Sequence, residues 1–142
     1  MTPGFVVDAS VAVAWVHPAQ ATAETQALLK ALESGALIEV PAIWPLEVAN
    51  ALLVLTRRKR LSDAERIRAL SALQEIAPKV DADSVALALT KLSKLASEHD
   101  LSVYDASYLE LAIRKKLPLA CKDGPLRKAA KRCGLKLLLP AS

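Results

Sequence analysis

The chain has 142 residues, 53% of them apolar and 24% charged, and carries a formal net charge of +4. That length suits a single domain, residues 1–142, burying roughly 70% of the surface its unfolded chain exposes, and so apolar a composition excludes a disordered chain. No apolar run reaches the ~20 residues of a membrane span, and the N-terminus lacks the basic, apolar and small-residue pattern of a secretion signal, so a cytoplasmic protein without membrane contact is expected.

Phe5-Val6-Val7-Asp8 is a short β-branched run and reads as a buried strand ending at Asp8. A helix rich in alanine and valine follows at once, with Ser10 as its candidate cap. A second helix is expected from Ala19 to Ser34, stopped by Gly35. Leu37 to Val40 reads as a strand closed by Pro41, and the next helix, from Trp44 to about Lys59, carries Glu47 and Asn50 in an otherwise apolar stretch. Ser62 and Glu65 form a capping box that opens a helix to about Ala77. A brief strand or turn near Val80 leads to a helix from Ser84 to Glu98, with Val85, Leu89, Leu92 and Ala96 on one stripe. Val103 to Lys115 is a helix, Pro118 to Cys121 a strand, Leu126 to Arg132 a helix ended by Gly134, and Leu135 to Leu139 a closing strand.

Strands alternating with helices imply a three-layer α/β/α sandwich around a mostly parallel sheet of about five strands. Ligands in such folds bind beyond the C-terminal strand ends, where the winding reverses. Trp15 and the helix from Ala19 to Ser34 are the expected partner-facing surfaces, whereas Phe5, Trp44, Tyr104 and Tyr108 read as core or interface aromatics.

Of the 15 acidic residues, most fit polar helix faces or first turns, among them Glu24, Glu33, Asp63, Glu65, Glu75 and Glu98. Four do not. Asp8 ends the first strand, Glu47 interrupts the apolar helix, Asp105 interrupts VYDASYLELA, and Asp123 lies just past PLAC. Singly, each has a plain structural explanation: helix caps for Asp8 and Asp123, a first-turn acid for Asp105, a buried arginine partner for Glu47. Jointly they point to one sheet edge. Carboxylates a few Å apart there repel by roughly 3 kcal/mol per pair at an effective dielectric near 20. Protonation or a hard dication relieves that repulsion, and oxygen donors without nearby His or Cys favour Mg²⁺ or Mn²⁺, one ion or two. Asn50, one turn past Glu47, and Ser10, beside Asp8, are the expected supporting residues.

The basic residues cluster as Arg57-Arg58-Lys59-Arg60, Arg114-Lys115-Lys116, and Arg127-Lys128 with Lys131-Arg132. Cations suit helix C-termini, and they also suit a phosphate backbone. Arg57, Arg58, Lys59, Arg60, Lys122 and Arg127 are the candidate contacts to such a backbone. Cys121 and Cys133 match no metal spacing or disulfide framework.

The ordered motifs FVVDASVAVAW, PAIWPLEVANAL, LSVYDASYLELA and PLACKDGPLRKAAKRCGLKLL resemble the PIN-domain ribonucleases, in particular the VapC-type toxins of toxin–antitoxin pairs. The resemblance runs nearly end to end and assigns the catalytic and metal-binding acids to Asp8, Glu47, Asp105 and Asp123. Its one departure is Cys121, where the family usually places threonine two residues before the last acid. The resemblance implies the sandwich fold, Mg²⁺-dependent endonucleolytic RNA cleavage, homodimerisation, and neutralisation by a small antitoxin, with larger toxin–antitoxin assemblies. The same chemistry serves a housekeeping RNA-processing nuclease, and a PIN-like scaffold without turnover is the non-enzymatic alternative. An aspartyl phosphatase would want an acid where Ser10 stands, and a Cys121 nucleophile would need His17 or His99 beside it.

Overall fold

A computed structural model describes residues 4–140. Its sheet has four strands, β1 (Phe5–Val7), β2 (Ile38–Pro41), β3 (Lys79–Asp81) and β4 (Leu119–Ala120), in the order β3-β2-β1-β4. Each neighbouring pair is parallel. The winding therefore runs outward from β1 through β2 to β3, then returns to place β4 on the other side of β1. The reversal lies between β1 and β4, and the Asp8 amide donates to the Ala120 carbonyl across it at 2.9 Å.

Helices α1 (Ala9–Val16), α2 (Ala23–Glu33), α3 (Trp44–Arg57) and α4 (Asp63–Ile76) pack on one another. On the other side, α7 (Val103–Lys115) lies against β1, β2 and β4, flanked by α6 (Ser93–His99) and α8 (Gly124–Arg132). The three layers expected from the alternation are present. Val6, Val7, Val11, Val40, Leu52, Leu109, Leu111 and Leu119 are fully enclosed between them, which is why so short a sheet can hold together.

Four boundaries depart from the sequence reading. Leu135 to Leu139 is no strand; it meets β4 at a single parallel bridge, Leu119 to Leu137. β4 is only two residues long, and the next carbonyl, that of Cys121, is taken by the Arg127 guanidinium at 3.2 Å, so no ladder can extend. The second helix starts at Ala23 rather than Ala19. Thr22 and Thr25 cap it reciprocally, and Pro18–Gln20 form a separate 3₁₀ turn.

The long helix expected from Ser84 to Glu98 is divided into α5 (Asp83–Ala86), a π turn (Ala88–Leu92) and α6. The wider π turn shifts the helical phase between its two sides, so Leu92 and Ala96 are buried while Val85 and Leu89 are 70% and 93% exposed. Trp15, expected on a partner surface, is a core residue whose indole N–H donates to the Thr25 carbonyl at 2.7 Å. No helix among the described residues is long and apolar enough to cross a membrane.

Candidate active site

Each of the four unexplained acids sits where a local rule of chain folding puts it. Asp8, at the end of β1, is the N-cap of α1: its carboxylate accepts from the Ser10 amide at 3.3 Å and from the Ser10 hydroxyl at 3.0 Å. Ser10 thus binds the acid rather than capping the helix itself. Asp123 caps α8, accepting from the Leu126 amide at 2.9 Å. Asp105 lies in the first turn of α7, its amide donated to the Ser102 hydroxyl that caps that helix. Glu47 lies in the first turn of α3, where Pro45 needs no hydrogen-bond acceptor. Its partner is not an arginine but the buried Tyr108 hydroxyl, which donates to Oε1 at 2.6 Å.

All four therefore start from the C-terminal strand edge, around the reversal between β1 and β4, and they sense one another. Burial pushes the Asp8 carboxyl above the usual carboxylate range; the Ser10 bonds oppose this, and Glu47 and Asp123 add to it. The Asp105 carboxyl is pushed up to about 7, by burial first, then by the charges of Asp123 and Asp8, a hydrogen bond shared with Asp123, and Glu47. Among the described residues, none of the four lies within ion-pair distance of a lysine, arginine or histidine.

The donor set is hard, anionic and short of counter-charge, which fits a hard dication better than a soft one. Among the described residues no three acidic, imidazole or thiol groups form a ready-made ligand cage. An ion that keeps several waters, as Mg²⁺ does, needs no such cage.

Cys121 is fully buried below the acids, and burial, then the Asp8 charge, pushes its thiol up to about 12. His99 lies 3.7 Å from Cys133 instead. A Cys121 nucleophile thus has neither a thiolate at neutral pH nor His99 as its base. Asn50 is exposed one turn beyond Glu47. Lys122 and Arg127 are committed to their own chain: the Lys122 ammonium donates to the Gln20 carbonyl at 3.2 Å, and Arg127 to the carbonyls of Cys121 and Leu139. Arg57, Arg58, Lys59 and Arg60 are exposed at the far end of α3, about 15 Å or more from Glu47 at 1.5 Å per residue. A groove of about 810 Å³ lies elsewhere, between α2, α4 and the opposite sheet edge.

Sequence reasoning did not find the Tyr108 hydroxyl, although its place three residues after Asp105 puts both on one helix face. It also passed over Asp81 and Glu110, which bind Arg114.

The fold has known counterparts. The PIN domain family profile matches residues 5–132. The chain belongs to the PIN domain family. The PIN fold recurs in solved structures across nearly the whole length. The crystal structure of PAE2754 from Pyrobaculum aerophilum is similar at 27% identity, covering 97% of this chain and 92% of that one, with a TM-score of 0.72. VapBC2 from Rickettsia felis, bound to a DNA fragment from their promoter, is similar at 14% identity, with 94% and 96% covered and a TM-score of 0.64. FitAcB from Neisseria gonorrhoeae is similar at 17% identity, with 94% and 95% covered and a TM-score of 0.62. No curated protein matches the chain.

Proposed function

We propose that this PIN domain is a metal-dependent endoribonuclease, the VapC-type toxin of a toxin–antitoxin pair. One observation carries the reading: four carboxylates from four segments lie near the sheet's reversal point, close enough for their charges to act on one another, and none has an ion-pair partner among the described residues. Self-repulsion of that kind costs stability, and binding of a dication is the use that repays it. Mg²⁺ or Mn²⁺, as one ion or two, held by Asp8, Glu47, Asp105 and Asp123, would supply water activation and charge neutralisation at the scissile phosphate.

The chain's own groups prepare that step. Ser10 holds the Asp8 carboxylate at the mouth of β1, and Tyr108 holds Glu47 opposite it. Asp105, in the first turn of α7, lies beside Asp123, and both carboxylates are placed to share the dication. Arg57 to Arg60 form an exposed cationic end suited to flanking phosphates, which would offset the repulsion between RNA and the acids.

Partners follow the same reading. The neighbours VapBC2 and FitAcB lend support to a small antitoxin as partner. The groove between α2 and α4, apolar at Leu29, Leu32 and Ile76 and rimmed by Glu33 and Glu75, suits an amphipathic helix. Homodimerisation is supported by Val85 and Tyr104, which are exposed at 70% and 59% and line a small apolar pocket, and by Leu89, exposed at 93%.

The test is cleavage of structured RNA with Mg²⁺ or Mn²⁺, with EDTA, and with Asp8→Asn and Asp105→Asn. Metal-dependent cleavage abolished by either variant supports the reading. Undiminished cleavage in EDTA or in both variants overturns it. A binding scaffold would bind RNA without cutting it under any metal.

A further inference from the structure

Glu47 differs from the other three acids in how it is held. Asp8 is fixed by the residue two places on and Asp123 by the helix it caps, so their own short segments orient them. Glu47 has a longer side chain on a helix that offers it nothing locally. Its hydrogen-bond partner comes from 61 residues away: the Tyr108 hydroxyl, at 2.6 Å.

Tyr108 is wholly buried in the middle of α7. The phenol oxygen is also faced by the backbone amide of Ala9, the residue after Asp8. One oxygen atom therefore bonds the acid of α3 and faces the start of α1 while riding on α7, the helix of Asp105. Phenylalanine would fill the same space, so packing does not account for the hydroxyl.

We infer that Tyr108 is a positioning residue, whose hydroxyl sets the direction of the Glu47 carboxylate and locks the three acid-bearing elements in register. This rests on the reading of Glu47 as a site acid. The hydroxyl touches no substrate; it acts through Glu47. Removing it takes away the hydrogen bond that fixes the carboxylate's direction. Groups that orient a metal ligand in this way typically change metal affinity or turnover by about 10- to 100-fold.

The experiment is Tyr108→Phe in the full chain, with Mn²⁺ binding measured calorimetrically on protein free of RNA, and steady-state RNA cleavage alongside. The expected result is a native circular dichroism spectrum, Mn²⁺ affinity weakened about tenfold, and kcat lowered about tenfold with KM for RNA unchanged. In a Glu47→Ala background the same substitution should add nothing, since coupled residues are non-additive. Equal losses in both backgrounds would make Tyr108 a core residue only and overturn the inference, as would full Mn²⁺ affinity and turnover in Tyr108→Phe. Glu47→Asp withdraws the carboxylate by one methylene with Tyr108 intact, and it should show a comparable loss of Mn²⁺ affinity even if the Phe variant does not fold; unchanged affinity there also overturns the inference. Wild-type affinity and turnover in Glu47→Ala would instead remove Glu47 from the site, a separate failure.

Discussion

Helix α7 carries acids of two groups that charge treats oppositely. In its middle, Glu110 is 1% exposed yet bonded by Arg114 at 2.9 and 3.0 Å and by Lys91 at 3.3 Å. The same guanidinium grips Asp81 on β3 at 2.7 and 3.1 Å, and that bond holds the Asp81 carboxyl below the usual carboxylate range. In its first turn, Asp105 faces Asp123, Asp8 and Glu47 with no cation in reach, and its carboxyl is pushed up to about 7. The first group is a clamp that joins β3, the π turn and α7. The second is a stored repulsion. Buried acids that a fold needs for itself come with their counter-charge; the acids of the second group come without one.

Removing the clamp's cation should have the largest effect. Arg114→Ala leaves Asp81 buried without a cation and Glu110 with Lys91 alone, and breaking such a group costs about 3–5 kcal/mol. A fall of about 10 °C in Tm is expected by calorimetry; a fall of under 2 °C would erase the distinction between the two groups. Asp105→Asn should do the reverse: cleavage down by roughly 100-fold or more, with Tm raised by roughly 2–4 °C as repulsion is relieved. Mn²⁺ at a hundredfold excess over its dissociation constant should stabilise the wild-type protein by about 2.7 kcal/mol. Asp105→Asn should lose most of that gain, whereas a stabilisation of equal size in the variant would detach the ion from these acids.

The two groups also have opposite pH signs. Asp105 keeps a proton in the folded chain that it loses in the unfolded one between its ordinary range and about 7. The folded state therefore binds more protons there, and metal-free stability falls as pH rises through that window. Asp8 contributes in the same direction. Asp81 contributes stability above the ordinary carboxylate range and loses it as pH falls towards its lowered folded value. Tm against pH should thus peak in mildly acid solution, and Asp105→Asn should flatten the alkaline side alone. The smallest effect belongs to the outlying cations. Replacing Arg57, Arg58, Lys59 and Arg60 by alanine should lower the salt dependence of RNA affinity by about 0.7 in logarithmic slope for each phosphate that is no longer neutralised.

The sandwich and the site acids were legible because both are local in the chain. Strand–Asp junctions at Asp8 and Asp123 follow from capping rules, and the alternation of short apolar runs with helices sets the layers. What escaped was relational. Arg114 reads as one more terminal cation until β3 brings Asp81 to it, although Glu110 four residues before hinted at a pair. Tyr108 reads as core because its hydroxyl's partner is 61 residues distant. The stripe from Val85 to Ala96 failed for another reason: it presumed a uniform helical pitch, and a π turn changes the phase without any sequence punctuation.

That irregular turn has a genetic corollary. Deleting one codon within residues 88–92 would allow a continuous α-helix and swing Leu89 round by about 100°, towards the interior. The acids begin on other segments and would keep their places. Under the proposed function, such a deletion should separate self-association from cleavage, and gel filtration beside an RNA-cleavage assay would recognise it.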